Sequence, residues 1–232
     1  DIELPAVQRE LIDALHRAGK KIILVNCSGS PIGLEPETQK CEAILQAWYP
    51  GQQGGKAVAE VLFGDYNPAG KLPVTFYRNV SQLPDFEDYN MTGRTYRYMQ
   101  DVPLFPFGYG LSYTTFGYGK TVFDKNELTA GQSLKLTVPV TNTGKRNGEE
   151  VVQVYLRKQG DAEGPIKTLR AFKRVSIPAG KTVNVEFDLK DKELEWWDDQ
   201  SNTVRVCPGN YDIMVGGSSK EEDLQRTTIA IK

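Results

Sequence analysis

The sequence predicts an α/β domain followed by an all-β sandwich, and three observations indicate this order. Residues 1–77 combine segments of helical periodicity with short apolar runs, which is typical of alternating helices and strands. Residues 117–232 alternate apolar and polar side chains, with turn signals between the runs, as in β-sandwiches. Residues 78–116 lack a regular period and contain many aromatic residues, so we expect an irregular connecting segment, which is either functional or a linker.

A helix opens the first part. Pro5–Ala18 shows a period near 3.6, and Gly19 is a typical helix end. We expect its apolar stripe to be buried, and the stripe consists of Val7, Leu11, Leu15 and Ala18. His16, the one histidine in the chain, lies off this stripe, which favours a solvated side chain over a catalytic one.

Two short apolar runs, Lys21–Asn26 and Glu42–Trp48, predict strands of a parallel sheet. A second helix is expected from about Gly54 to Phe63, closed by Gly64. Its expected buried face consists of Ala57, Val58, Val61 and Leu62, and a third strand is expected at Leu72, Val74 and Phe76. Parallel sheets of this type usually have more strands and are covered by helices on both faces, and two helices cover little of this one. We therefore interpret residues 1–77 as the C-terminal half of a larger α/β domain. The alternative is a small domain that is complete in itself.

The glycine-rich turn before the second helix does not match a phosphate-binding loop. A Walker motif requires glycine where Pro50 stands and a hydroxyl where Ala57 stands. Gly51 and Gly54 have the wrong spacing for a dinucleotide-binding pattern. We interpret the stretch as a tight turn that leads into a helix.

Composition excludes several kinds of chemistry. A net charge of -2 does not suggest nucleic-acid binding, and no apolar run is long enough to span a membrane. A single histidine leaves no multi-histidine metal site, and no calcium or zinc spacing appears, so we expect no metal and no cofactor. Cys27, Cys41 and Cys207 are expected to be buried reduced thiols, with a Cys27–Cys41 bridge left open.

Five runs with period two predict the main strands of the sandwich. They are Ser133–Thr141, Glu150–Arg157, Thr182–Leu189, Tyr211–Val215 and Thr227–Ile231. A further feature, the pair Trp196 and Trp197, has two interpretations: a platform for sugar, or core filling at the edge of the sandwich, which is the commoner case.

The run Arg94–Tyr98 (RTYRY) mixes cationic and aromatic side chains within the connecting segment. Such a mixture is typical of a sugar-binding or interface loop, and the alternative is a linker held to the surface by its tyrosines. On the first interpretation the candidate substrate-binding residues are Arg94, Tyr96 and Tyr98.

Three runs resemble glycoside hydrolase family 3. Trp48–Phe76 (WYPGQQGGKAVAEVLFGDYNPAGKLPVTF) resembles the family's C-terminal α/β domain. Pro103–Phe116 (PLFPFGYGLSYTTF) resembles the connection into the family's fibronectin type III-like domain, and Pro208–Ser219 (PGNYDIMVGGSS) is similar to that domain's closing strands. The resemblance implies part of a parallel-sheet α/β sandwich domain, followed by a fibronectin type III-like β-sandwich.

The resemblance also implies an activity, that of a retaining β-glycosidase of the β-glucosidase or β-xylosidase type. Such enzymes use two carboxylates in turn, one as nucleophile and one as acid and base. In the family the nucleophile belongs to an N-terminal barrel, and the usual acid/base glutamate precedes a segment that resembles Asp1–Leu15. No residue here matches either position, so the chain alone is expected to be inactive. The implied partners are the upstream barrel and α/β half of its own enzyme and an oligosaccharide substrate.

Two alternatives stay open beside the enzyme portion: a stand-alone carbohydrate-binding module and a structural module without a ligand. The binding module would use Trp196, Trp197 and the tyrosine-rich loop. Within the family, the stretch Gly93–Tyr98 resembles the β-xylosidase and α-arabinofuranosidase members more than typical β-glucosidases.

Overall fold

The computed structural model describes all 232 residues and divides into two units. The first unit comprises Asp1–Tyr66, Pro73–Thr95 and Met99–Phe107, and the second comprises Asn67–Leu72, Tyr96–Tyr98 and Gly108–Lys232. Each unit has its own cluster of buried apolar side chains. None of the helices combines the length and apolar character that crossing a membrane requires.

The first unit is a small α/β structure. Its elements are α1 (Ala6–Arg17), β1 (Ile23–Asn26), α2 (Glu35–Thr38), β2 (Ala43–Gln46) and α3 (Gly54–Phe63). The two strands pair in parallel, from Ile23 opposite Ala43 to Asn26 opposite Gln46. Gly64 ends α3 with a φ of 82°, a left-handed conformation that favours glycine. The two predicted helices and the first two predicted strands are therefore confirmed.

The third predicted strand is wrong. Residues around Leu72, Val74 and Phe76 form no strand, and Phe76 makes only an isolated bridge with Phe105. The Phe76 side chain is nevertheless buried and packs edge-to-face against Phe105 at a centroid distance of 6.1 Å. The apolar residue thus packs against an irregular stretch, since the sheet of this unit has only two strands.

The predicted burial of the α1 stripe is also wrong. Val7, Leu11 and Leu15 are exposed, and Ile12 is the buried residue of the helix. Ile12 belongs to a cluster that is completed by Leu4, Ile22 and Leu34. The expected inner face of α3 is only partly covered, because Val58 and Val61 are half-buried whereas Ala57 and Leu62 are exposed. The helical period of both segments is confirmed, but the first unit covers little of either apolar face.

A single helical turn, α4 (Thr95–Tyr98), precedes the strands of the second unit. These strands are β3 (Phe116–Tyr118), β4 (Val122–Phe123), β5 (Glu127–Leu128), β6 (Leu134–Asn142), β7 (Gly148–Lys158), β8 (Thr168–Ile177) and β9 (Thr182–Leu189). The turn α5 (Asp191–Leu194) and the strands β10 (Trp196–Asp198), β11 (Thr203–Arg205), β12 (Gly209–Gly216) and β13 (Leu224–Ile231) follow. All five predicted strands are confirmed within a few residues.

Most of these strands form two sheets around one core, and β10 and β11 form a separate two-stranded sheet. The larger sheet has the order β5-β13-β12-β7-β8, and in the smaller one β6 pairs with β3, β4 and β9. Every second side chain of β6 and β9 points into this core, as the alternation in the sequence requires. The buried members from these two strands are Leu134, Leu136, Val138, Val140, Val185, Phe187 and Leu189.

Asn142, at the end of β6, is a fully buried polar residue with four hydrogen bonds. Its Oδ1 accepts from the Thr114 hydroxyl at 2.6 Å and from the Gly144 N–H at 3.1 Å. Its Nδ2 donates to the carbonyls of Arg146 at 2.7 Å and Ile177 at 2.9 Å. A buried amide whose hydrogen-bonding groups all have partners stabilises the structure. Removing it leaves each of those partners without a hydrogen bond.

We therefore expect Asn142→Ala to lower the free energy of unfolding of the second unit by about 2–4 kcal/mol, because buried donors and acceptors lose their partners. Urea unfolding monitored by fluorescence measures the change. The control is Thr182→Ala, which removes an exposed hydroxyl that lies 2.8 Å from the Thr141 hydroxyl and should cost less than about 0.5 kcal/mol. Equal effects of the two changes would contradict the role of Asn142.

Candidate functional site

Arg94, the first candidate substrate-binding residue, lies in the first unit and holds its own loop together. Its Nε donates to the Asn90 carbonyl at 2.8 Å, and its NH2 group bonds to the Asp88 carbonyl. The Asp88 carboxylate accepts from the N–H and the side chain of Asn90, and these bonds lower the pKa of Asp88. The loop at residues 88–94 is therefore a pre-formed turn, and the hydrogen bonds of Arg94 to the Asp88 and Asn90 carbonyls close it.

Tyr96 and Tyr98 lie in the second unit, and both are half-buried. The Tyr96 ring meets the buried Tyr155 ring edge-to-face at 5.9 Å, and its hydroxyl accepts from the Leu169 N–H at 3.2 Å. The Arg97 guanidinium lies over the Tyr98 ring, 5.5 Å from its centroid. Tyr96 is thus largely engaged in packing on the sandwich, as the linker alternative expects.

A polar cluster that sequence analysis did not find lies where β1 and β2 end, and we call it the strand-end cluster (Asn26, Ser28 and Gln46). The buried Asn26 amide donates to Gln46 Oε1 at 2.6 Å and to Ser28 Oγ at 3.0 Å. Gln46 Nε2 donates to the same hydroxyl at 3.1 Å. Carboxyl ends of parallel strands are where α/β folds bind ligands. The cluster offers amides and a hydroxyl for hydrogen bonding and no group for proton transfer.

The chain directly after β2 has an unusual backbone. Trp48 has a φ of 55°, which is rare for a bulky side chain, and its ring packs edge-to-face on Phe76 at 6.0 Å. The next ring, Tyr49, is exposed and lies against Gly29, where an added Cβ would meet it at 2.4 Å. Strained backbone of this kind concentrates at functional sites, so it supports the strand-end cluster as a ligand-facing edge.

The second unit contains an open cavity of about 380 Å³ next to a buried ion pair. Lys71 Nζ lies 3.1 Å from Glu150 Oε1 and donates to the Gly110 carbonyl at 3.0 Å. The Tyr118 hydroxyl donates to the same carboxylate at 3.3 Å, and burial together with Glu150 raises the pKa of Tyr118. The carboxylate is therefore neutralised within the protein, and the pair connects the stretch around Gly110 to the sandwich.

The perturbed carboxyl groups favour the charged form. The pKa of Asp13 is lowered by its bond from Lys40, and Ser201 and Arg205 lower the pKa of Asp198 to about 2. Bonds from Lys167 and Arg226 outweigh burial and lower the pKa of Glu221. A catalytic general acid at neutral pH requires the opposite shift. The structure also shows no group of three or more His, Cys, Asp or Glu side chains that could hold a metal ion.

The two neighbouring tryptophans occupy different environments. Trp196 is 3% exposed, and its indole N–H donates to Asp161 at 2.6 Å, so the prediction of core filling is confirmed for this residue. Trp197 is 49% exposed and contributes no such filling.

The three cysteines are free thiols. Cys207 is buried as expected, Cys41 is half-buried, and Cys27 is exposed, so the expectation of burial is wrong for Cys27. Cys27 directly follows β1 at the open end of the two-stranded sheet, where nothing in the first unit covers it.

Comparison with known proteins identifies both parts of the chain. Residues 1–113 match the sequence profile of the glycosyl hydrolase family 3 C-terminal domain, and residues 150–219 match that of a fibronectin type III-like domain. Among curated relatives, a xylan 1,4-beta-xylosidase of Xylanibacter ruminicola is 57% identical over 99% of the chain. A beta-xylosidase of Formosa agariphila is 41% identical over 100%, and a periplasmic beta-glucosidase of Salmonella typhimurium is 38% identical over 94%.

Solved structures agree with this assignment. A β-glucosidase from Erythrobacter marinus matches the whole chain with a TM-score of 0.87 and 41% identity, and the chain covers 31% of it. A beta-glucosidase from Listeria innocua in complex with glucose matches 99% of the chain with a TM-score of 0.86 and 30% identity, of which the chain covers 33%.

The three relatives are much longer than this chain, which covers 26%, 33% and 30% of their respective lengths. The predicted fold class and the resemblance inferred from the three sequence runs are confirmed. This chain belongs to glycosyl hydrolase family 3, of which it carries the C-terminal α/β domain followed by a fibronectin type III-like domain.

Proposed function

We propose that this chain is the C-terminal part of a retaining β-glycosidase of the β-xylosidase or β-glucosidase type, which hydrolyses terminal sugars of oligo- or polysaccharides. The names of the relatives support this activity. A xylan 1,4-beta-xylosidase at 57% identity and a beta-xylosidase at 41% support the β-xylosidase type, and the β-glucosidase from Erythrobacter marinus, also at 41%, supports the β-glucosidase type. In this enzyme the chain completes and supports the active site. The two carboxylates of the reaction lie in polypeptide outside the chain.

The observation that carries the proposal is the uncovered apolar surface of the first unit. Val7, Leu11 and Leu15 line one exposed face of α1, and Phe63 at the end of α3 is 85% exposed. Apolar surface of this kind marks an interface. The occupant that we propose is the remainder of the α/β domain of the same enzyme. Its strands would extend the two-stranded sheet, and its other elements would cover the exposed apolar face of α1.

The charge state of the perturbed carboxyl groups agrees with a supporting role. Asp13, Asp88, Asp198 and Glu221 are all held as carboxylates by donors within the chain. None of these four groups is set to protonate a leaving oxygen at neutral pH.

The substrate-facing residues that we propose are those of the connecting segment. In the first unit Arg94 would keep the loop at residues 88–94 in shape. In the second unit the half-exposed Tyr98 ring, and the part of the Tyr96 ring that does not pack on Tyr155, would be open to substrate. The strand-end cluster would add hydrogen bonds from the edge of the sheet. These roles position substrate and do not include proton transfer.

We expect the isolated chain to show no turnover of aryl β-xyloside or aryl β-glucoside, and the full product of its open reading frame to hydrolyse at least one of them. The reason is that both reacting carboxylates belong to the longer product. Release of the aryl group, followed by absorbance, measures both. Turnover by the isolated chain that disappears when one of its own Asp or Glu residues is changed would refute the proposal.

A second experiment tests the apolar face of α1. Leu11→Ser in the full enzyme should lower its stability by about 2–4 kcal/mol, because a buried leucine is lost and a hydroxyl is buried. The same change in the isolated chain should cost less than about 0.5 kcal/mol, because Leu11 is 60% exposed there.

The matched control is Val122→Ser on β4 of the second unit, where the side chain is 61% exposed. This change should have a small effect in both the isolated chain and the full enzyme, as measured by thermal and urea unfolding. If Leu11→Ser were as mild as Val122→Ser in the full enzyme, the α1 face would not be the interface.

A further inference from the structure

The β10–β11 hairpin of the second unit presents an exposed indole on a rigid support. Trp197 pairs with Val204 across the two strands, so both side chains lie on the same face. Trp197 is 49% exposed and Val204 is 52% exposed, and together they form what we call the Trp197 platform. About half of each of these apolar side chains is open to water, so this half contributes little to the packing of the hairpin.

The opposite face of the same hairpin is fixed to the core. Trp196 is buried there, and its ring meets Tyr211 edge-to-face at 6.2 Å. The Trp196 indole donates to Asp161 at 2.6 Å, and the Arg170 guanidinium lies 5.7 Å from the ring centroid. The alternation of strand side chains therefore anchors one tryptophan and turns the next one outward.

Hydrogen bonds also hold the exposed ring and its loop in place. The Trp197 indole donates to Asp199 Oδ1 at 2.8 Å, which fixes the direction of the ring. Asp198 accepts from the Ser201 hydroxyl at 2.5 Å and from Arg205 Nε at 2.7 Å, and these bonds close the turn. Because the pKa of Asp198 is about 2, this closure persists above that pH. A ring that is already ordered loses little entropy when a ligand stacks on it.

We propose that the Trp197 platform binds neutral β-linked polysaccharide by stacking of the indole on the apolar face of a sugar ring. A fully buried aromatic side chain buries about 150–250 Å², and Trp197 still exposes 49% of its surface, so the indole offers roughly half of that area. This area fits one sugar ring and is far below the roughly 800 Å² per partner of a stable protein interface. The Asp198 charge is balanced by Arg205, while Asp199 adds an uncompensated carboxylate beside the ring, which disfavours anionic polymers.

The platform would keep the enzyme on a polymer. The choice of a sugar as ligand rests on the proposed glycosidase function. The geometry of the hairpin is independent of that proposal. Binding is measured without turnover, so its failure would leave the proposed activity standing, and inactivity of the full enzyme would leave the binding result standing.

The experiment uses the 232-residue chain with insoluble β-1,4-xylan, cellulose and, as an anionic polymer, polygalacturonate. We expect retention on xylan or cellulose and none on polygalacturonate, with Trp197→Ala weakening the retention by about tenfold or more. The matched control is Phe172→Ala, which removes a 67% exposed aromatic ring from β8 of the same unit and should change nothing.

A spectroscopic readout separates stacking from a loss of folding. The chain has three tryptophans, Trp48, Trp196 and Trp197, of which Trp197 is the exposed one. Xylohexaose or cellohexaose should shift the emission of the wild type and of Phe172→Ala, and leave that of Trp197→Phe unshifted. Absence of wild-type binding, stronger binding to polygalacturonate, or equal retention of Trp197→Ala and Phe172→Ala would overturn the proposal.

Discussion

Burial of the apolar face of α1 is the constraint on which the first unit depends. A two-stranded sheet and short helices bury few side chains, and the core cluster of this unit has four buried members, Leu4, Ile12, Ile22 and Leu34. Val7 and Leu11 add little stability while most of their surface stays in water, and Leu15 is also partly exposed. On the proposed function, another part of the enzyme covers this face and supplies the hydrophobic stabilisation that such a helix normally has.

The second unit meets the same constraint within itself. Its two sheets enclose a core of nineteen buried residues, and its polar interior is satisfied by side chains such as Asn142. The sandwich therefore has a complete core of its own, whereas the α/β portion does not. On the proposed function, the reacting carboxylates belong to the complete enzyme, and this chain contributes support and binding.

Much of the fold could be predicted from the sequence because local periodicity determines it. The alternation in β6 and β9 predicted both strands and their buried faces correctly. The sequence does not predict β8, because its apolar and charged residues do not alternate regularly and most of its side chains are half-buried or exposed. Its strand conformation depends on pairing with β7. Phe76 was placed in a strand that does not exist, because alternation predicts an extended chain but not the neighbour that a strand requires.

The candidate site was harder to predict, since it depends on contacts between distant residues. The run Arg94–Tyr98 predicts Arg94, Tyr96 and Tyr98 as substrate-binding residues. The sequence does not show that Arg94 forms hydrogen bonds within its own loop. The strand-end cluster joins Asn26 to Gln46, twenty residues away, and only the polar residues at the ends of apolar runs could have indicated it. The two tryptophans have opposite roles because successive strand residues face opposite sides.

The central claim is that α1 stays weakly held until the rest of the enzyme covers it. Hydrogen exchange of the α1 amides, measured in the isolated chain and in the full product of its reading frame, tests this most directly. We expect fast exchange of Ala6–Arg17 in the isolated chain and strong protection in the full protein, with β6 and β7 equally protected in both. Equal exchange of α1 in the two proteins would contradict it.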